Sequence, residues 1–376
     1  MPFLFRTRKA ALLGVSDLLM VGLAPPGARA DIPDENYRPV LEHLLGEVMP
    51  PKLDALHDAT TNLSDEMNDF CAEPDQDGLD EVREDFHAAM DIWQEVQPWR
   101  MGPLIANGRD QHIEYWPDKH GTATRQFRKL MFDKPAIYTD REKIADTSAA
   151  LQGFPALEQV LFDDKLSPKL LDDDEDGVFL CGYGGAVGAN LARMAGELVD
   201  EWPAFAQGMI EAGPDSMDYP DAKFAATDLY RALHEGLLII VSQKLGRPLG
   251  DGPKDGKANR AESPTSERSL RNIEHNLTGL FAIYDGKWGD TGEEGKGLSA
   301  LIDSSLLDRS FRLNWQTMSD GLDQLPASIV ELLDQPDGYQ KLSDFADQVS
   351  FVNTLVEGDV GGTTQLGGGF NALDGD

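Results

Sequence analysis

The sequence predicts an all-α protein built from two packed helical bundles. Three observations carry this expectation. Apolar residues recur at three- and four-residue steps through most of the chain, the spacing of one helix face. Alternating apolar and polar runs of strand length are absent. Polar stretches holding Gly and Pro punctuate the helical segments. A chain of 376 residues is long enough to bury a substantial core.

The N-terminal thirty residues read as a secretory signal. Arg6, Arg8 and Lys9 precede an apolar run, interrupted only by Asp17, that leads to Ala28-Arg29-Ala30. The run is too short for a membrane span. The mature chain is therefore expected to start at Asp31, in a periplasmic or secreted location. In such an oxidising compartment the two cysteines, Cys71 and Cys181, are expected to form a disulfide.

Helices follow in order. "LEHLLGEVMPPKLDALHDATTNLSDEMNDF" has helical spacing, with Pro50-Pro51 as an expected interruption. In "GLDEVREDFHAAMDIWQEVQPW" the residues Leu79, Val82, Phe86, Met90, Trp93 and Val96 form one apolar stripe. "GANLARMAGELVDEW" and "DLYRALHEGLLIIVSQKLG" are next, the latter expected to stop at Gly246 with Pro248 just beyond. "SERSLRNIEHNLTGLFAIYDG" offers Ser266 or Ser269 as caps and Gly286 as its stop. "LSALIDSSLLDRSFRLNWQTMSDGLDQL" and "GYQKLSDFADQVSFVNTLVEG" complete the set. "DGPKDGKANRAESPTSE" reads as a loop. "GPDSMDYPDA" separates two helical groups, giving a signal over 1–30 and bundles over 31–215 and 216–376.

A net charge of -33, from 66 acidic and 33 basic residues, argues against a nucleic-acid partner. Several motifs are weak. "DDDEDGVFLCGY" matches the start of a calcium loop at Asp172, Asp174, Asp176 and Gly177, but its twelfth position is Tyr183 where a bidentate Glu belongs. "LHEGLL" has Leu238 where a zincin needs its second His, leaving His234 an ordinary helical residue. The Gly-rich tail lacks the Lys-Ser/Thr of a phosphate loop, and no G-x-S-x-G elbow occurs. "GFPALEQVLF" reads as a helix start, with Pro155 in its first turn. "GRDQHIEYWPDKHG" concentrates polar chemistry: as a helix, Asp110, Gln111 and Glu114 share a face while His112 points elsewhere. Trp116 before Pro117 marks its end.

The stretches "FCAEPD", "WRMGPL", "HIEYWPDKHGTATRQ", "ALQGFPALEQVLF", "CGYGGAVGANLARMAGEL", "SQKLGRPLG", "SERSLRNIEHNLTGL" and "GFNALDGD", in this order over residues 35–376, resemble the imelysin-like proteins. This is the insulin-cleaving membrane protease family of the bacterial envelope. The resemblance implies two helical-bundle domains, export, and a link to iron uptake or metal handling. The family motif G-x-H-x-x-E has been read as a metal site. "GFPALE" matches it at Gly153 and Glu158, with Pro155 in place of the His; "RDQHIE" matches only through Glu114. Pro has no donor atom and cannot be a ligand. The metal candidates are Glu158, Glu114, His112 and Gln111, with iron or zinc as the metal.

Two functions follow from this resemblance. The first is a non-catalytic, exported protein of iron acquisition that binds a metal, a metal chelate or an envelope protein partner. The second is a metallopeptidase, whose zinc would need about three protein ligands. These would be gathered from distant residues such as His87, His112, Glu114 and Glu158. If the signal is read correctly, N-terminal sequencing of the exported protein begins at Asp31; a retained Met1 in the envelope fraction would refute cleavage.

Overall fold

A wide helical turn explains the first departure from expectation. The computed structural model describes residues 31–367, so the expected signal at 1–30 lies outside the described residues. Helix α1 (Arg38–His43) runs through a π turn at Leu44–Val48 directly into α2 (Met49–Ala72). Pro50 and Pro51 do not break this run. They fall in the first turn of α2, where a missing N–H forfeits little.

Helix α3 (Gln76–Val96) starts at Asp75, whose side chain accepts a hydrogen bond from the Gly78 N–H at 2.8 Å. It buries the stripe from Leu79 to Val96 that its periodicity predicts. Three shorter helices follow, α4 (Arg109–Ile113), α5 (Thr122–Asp133) and α6 (Gly153–Phe162). The 36-residue α7 (Glu175–Ile210) then packs along α2. The aspartate-rich segment before it is a helix start. Asp174 accepts from the Asp176 and Gly177 N–H groups at 2.9 Å, and Asp176 is paired with Lys134 and Lys169. Cys71 at the end of α2 and Cys181 in α7 form the expected disulfide, with Cα atoms 5.6 Å apart.

The expected boundary near residue 215 lies in the non-helical connection between α7 and α8 (Ala222–Ile239). Beyond α8 the chain takes a second π turn, Ile240–Leu245, and continues as α9 (Gly246–Leu249). The stop expected at Gly246 therefore moves to Gly250, which has φ 62°. The π turn carries the helix past Gly246 and leaves Pro248 near the start of α9, where it is tolerated. Helix α10 (Ser269–Asp285) ends at Gly286, as expected, with φ 90°. Neither serine caps it: the Ser266 hydroxyl is turned away onto Glu158, and Ser269 is already helical. A two-stranded turn pairs β1 (Lys287–Trp288) with β2 (Thr291–Gly292). Helices α11 (Ser305–Leu322), α12 (Ile329–Leu333), α13 (Gly338–Leu355) and α14 (Gly361–Thr364) complete the described chain.

The two halves meet where α10 crosses α3. A Cβ on Gly279 would lie 1.9 Å from the Glu95 carbonyl oxygen, so only glycine permits this approach. The Trp99 indole donates to the Gly279 carbonyl at 3.2 Å and stacks on Trp288, with ring centroids 5.6 Å apart. Both rings are fully buried. No described helix is long and apolar enough to cross a membrane.

The disulfide joins residues 110 apart in sequence, a loop whose closure stabilises by about 4–5 kcal/mol in the chain-entropy model. Urea unfolding of Cys71→Ala/Cys181→Ala beside the parent should show a loss of that order. A loss under about 1 kcal/mol would mean that the α2–α7 packing already restricts the unfolded chain.

Candidate functional site

Helical spacing places His87, Asp91, Gln94 and Glu95 of α3 on one face, opposite Arg268 and the α10 residues Arg271, Asn272, His275 and Asn276. This face holds charge rather than an apolar stripe, and nearly every group is matched. Glu95 accepts from Lys52 Nζ at 3.1 Å and the Trp288 indole at 2.7 Å, and lies 2.9 Å from His275. Asp91 takes Arg268, Arg271 and His275. The buried Arg268 also contacts His87 Nδ1 at 2.8 Å and Asn272 Oδ1 at 2.6 Å. Burial, then the charge of Arg268, holds the His87 imidazole down at about 4, so it is neutral.

The seam continues to Glu114. Helix α4 ends at Ile113, and Glu114 is extended, with φ -145°. Its side chain thereby leaves the helix face predicted from sequence and enters the interior. It accepts hydrogen bonds from Trp93 Nε1 at 2.7 Å, Gln94 Nε2 at 2.9 Å and Gln97 Nε2 at 2.5 Å. The buried Lys244 donates to Gln94 Oε1 and to Glu262 Oε2, each at 2.7 Å. Glu114 also makes a side-chain hydrogen bond with Glu262, a contact between two carboxyls that requires a proton. Burial, followed by the Glu262 charge, pushes Glu114 up to about 8 against the pull of Lys244 and Trp93.

These groups floor a cavity of about 250 Å³, walled by Gln97, Gln111, Glu114, Lys244, Glu262 and Asn276. Two buried acceptors, Glu262 Oε1 and Asn276 Oδ1, have no conventional donor there. Buried acceptors are normally satisfied, so this cavity has room and reason for a group that supplies positive charge or N–H.

Glu158 belongs to a second cavity. Gly153 begins α6 at φ 70°, and a Cβ there would lie 2.1 Å from the Ile113 carbonyl oxygen. The motif glycine thus lets α6 rest on the end of α4, bringing "GFPALE" beside "RDQHIE". Glu158, buried, uses Oε1 to accept from the Thr265 N–H at 3.0 Å, the Ser266 N–H at 2.8 Å and the Ser266 hydroxyl at 2.9 Å. Burial raises its pKa more than these donors lower it. The second cavity, also about 250 Å³, is lined by Tyr115, Trp116, Phe127, Pro155, Glu158 and Arg247, among others. Trp116 borders both cavities.

Of the four metal candidates, Gln111 and Glu114 share the first cavity and Glu158 lines the second. His112 faces elsewhere, 3.1 Å from Gln152 Oε1. His87 is on Arg268. The four residues named for a peptidase zinc site do not converge, and among the described residues no group of three or more His, Cys, Asp and Glu side chains could hold a metal ion. The donor set does not fit a catalytic zinc. His234 is 3.0 Å from Asn353 and takes no part. Sequence reasoning missed Lys244, Glu262 and Asn276. Lys244 lies in a helical run and Glu262 in a loop, and only the burial of their charges distinguishes them. The polar face of α10 was the available signal.

The comparisons agree with this fold. The imelysin family model matches residues 50–352, and the chain belongs to the imelysin family. Iron-regulated protein A of Synechococcus elongatus is 24% identical over 257 residues, which span 66% of this chain and 65% of that relative. The chain thus matches slightly under two thirds of that protein's length. The crystal structure of an imelysin-like protein from Psychrobacter arcticum superposes with a TM-score of 0.71 at 18% identity, covering 90% of this chain and 99% of the other. A candidate iron-regulated protein A precursor from Parabacteroides distasonis gives 0.72 at 15% identity, covering 88% and 96%.

Glu114 binds its proton more tightly folded than unfolded, so its contribution to stability is complete below about pH 4.5 and lost as pH rises through about 8. His87 acts oppositely: its contribution is present above pH 6.5 and lost as pH falls through about 4. Between pH 6.5 and 8 only the Glu114 loss operates of these two, at up to about 1.4 kcal/mol per pH unit. Urea unfolding across this window should show a declining stability that flattens in Glu114→Gln. Equal slopes in both proteins would assign the decline to another group.

Proposed function

We propose that this imelysin-family chain is a non-catalytic, exported protein of iron acquisition that holds a metal ion or metal chelate in the Glu114 cavity. One observation carries the reading: Glu262 Oε1 and Asn276 Oδ1 are buried without conventional donors beside Glu114 in the same cavity. A cation displacing the proton between Glu114 and Glu262 would meet both acceptors, and the two carboxylates would offset its charge. Oxygen and amide donors suit hard cations better than imidazole-seeking ones. Binding by so few protein groups is weak for a bare ion and stronger for a chelate that brings its own ligands. The name of the Synechococcus relative, iron-regulated protein A, supports iron as the cargo. The signal-like N-terminus and the precursor among the structural relatives support export.

Calorimetric titration of the chain starting at Asp31 with iron and zinc tests this proposal. Iron binding should weaken about tenfold or more in Glu114→Ala, the loss expected for one charged partner. Pro155→His, which restores the motif histidine three positions before Glu158, should tighten zinc binding. Casein should remain uncut by the parent protein. Equal iron binding by the parent, Glu114→Ala and Glu158→Ala would remove the cavity from function, and casein hydrolysis abolished by a chelator would favour the peptidase reading.

A further inference from the structure

The second cavity contains a feature that the metal reading does not use. Arg247 and Arg260 both line it, and neither guanidinium makes an ion pair or hydrogen bond with any described residue. The Arg247 Nε is buried with no partner. This is unusual in a chain with twice as many acidic as basic residues. Elsewhere its inward arginines are matched: Arg109 by Glu197 and Glu201, Arg268 by Asp91, and Arg312 by Asp285 and Asp308.

The acids at this cavity are engaged elsewhere. Asp118 turns its two oxygens onto the backbone N–H groups of Thr122 and Ala123, at 2.7 and 2.9 Å. Glu158 gives Oε1 to three donors from Thr265 and Ser266. Its burial also favours the neutral form, which lessens its opposition to a visiting anion. The remaining walls include Tyr115, Trp116, Phe127 and Pro155, beside the polar Gln159 and Asn259. Guanidinium forks match planar carboxylates, and aromatic faces match flat rings. A volume of about 250 Å³ lies just below the range of roughly 300–1,000 Å³ for drug-sized ligands, and so suits a single ring with one substituent.

We propose that the cavity between α6 and the Arg247–Arg260 segment is a binding site for a small aromatic carboxylate, with its carboxylate on Arg247 and its ring against Trp116 and Phe127. Pro155 is part of the apolar wall. At the position where the family motif places a metal-binding histidine, this chain has a side chain suited to an organic ring. Arg247 belongs to "SQKLGRPLG", one of the stretches that resemble the family, and is given a role by this reading.

Calorimetric titration of the chain starting at Asp31 with benzoate, its neutral analogue benzamide, and inorganic phosphate tests the assignment. Benzoate should bind at one site, and benzamide and phosphate should each bind at least about tenfold more weakly. Arg247→Gln should lose at least about tenfold in benzoate affinity, and the rim variant Arg260→Gln a few-fold. Circular dichroism checks that each variant folds; if Arg247→Gln does not, the exposed Arg260→Gln decides the matter. Benzamide binding as tightly as benzoate would overturn the role of charge, and phosphate doing so would overturn the role of the ring. Unchanged benzoate affinity in the folded arginine variants would overturn the site.

Discussion

The structure depends on keeping charge buried between α3 and α10. Moving a charge out of water costs several kcal/mol even after relaxation, and only close partners offset that cost. Here the compensation is continuous. Lys52 answers Glu95, His275 bridges Glu95 and Asp91, Arg268 links Asp91 to Asn272, and Asn272 and Lys244 meet on Glu262. Each member fixes the rotamer of the next, so the crossing angle and register of the two helices are set by hydrogen bonds as much as by the Gly279 contact. The chain of partners ends at the first cavity, where Glu262 Oε1 and Asn276 Oδ1 lack conventional donors. Buried polar networks become costly where their satisfaction stops, and here that point coincides with a space large enough for a ligand.

Much of the fold was legible because helical spacing is a local property. The α3 stripe from Leu79 to Val96 reads directly from sequence, and so does the stop of α10 at Gly286, where a positive φ requires little besides glycine. What failed locally failed for identifiable reasons. The π turns before Met49 and after Ile239 carry helices past Pro50-Pro51 and Gly246, because an extra residue in the turn shifts which backbone groups are bonded. The serine caps of α10 were misassigned because a buried carboxylate, Glu158, competes for the Ser266 hydroxyl. That competition comes from a residue 108 positions away.

The site was less legible than the fold. Glu114 stands out in the sequence as a polar candidate, but on the assumption that it continues a helix. Its extended backbone instead turns it inward, away from His112. The segments that carry Glu114 and Glu158 meet because Gly153 lets α6 rest on the end of α4, yet Trp116 borders two cavities and the carboxyls enter different ones. Lys244 and Glu262 carry no motif. Their importance lies in burial and pairing, which arise only once α8 and the loop before α10 fold against α3.

The partial motif "GFPALE" can be understood from these contacts without a metal. A Cβ at Gly153 would collide with the carbonyls of His112 and Ile113, so the glycine is required by helix packing. Glu158 gathers the Thr265 and Ser266 N–H groups just ahead of α10, so its carboxyl organises a turn that would otherwise leave donors unpaired. Two of the three motif positions thus have structural roles that need no metal. With Pro155 at the remaining position, the first turn of α6 has no donor side chain, and the space it faces is bounded by aromatic rings and guanidinium groups. A matching Gly and Glu in this motif therefore report the packing of α4, α6 and the turn before α10, whereas the residue between them determines what chemistry the cavity can offer.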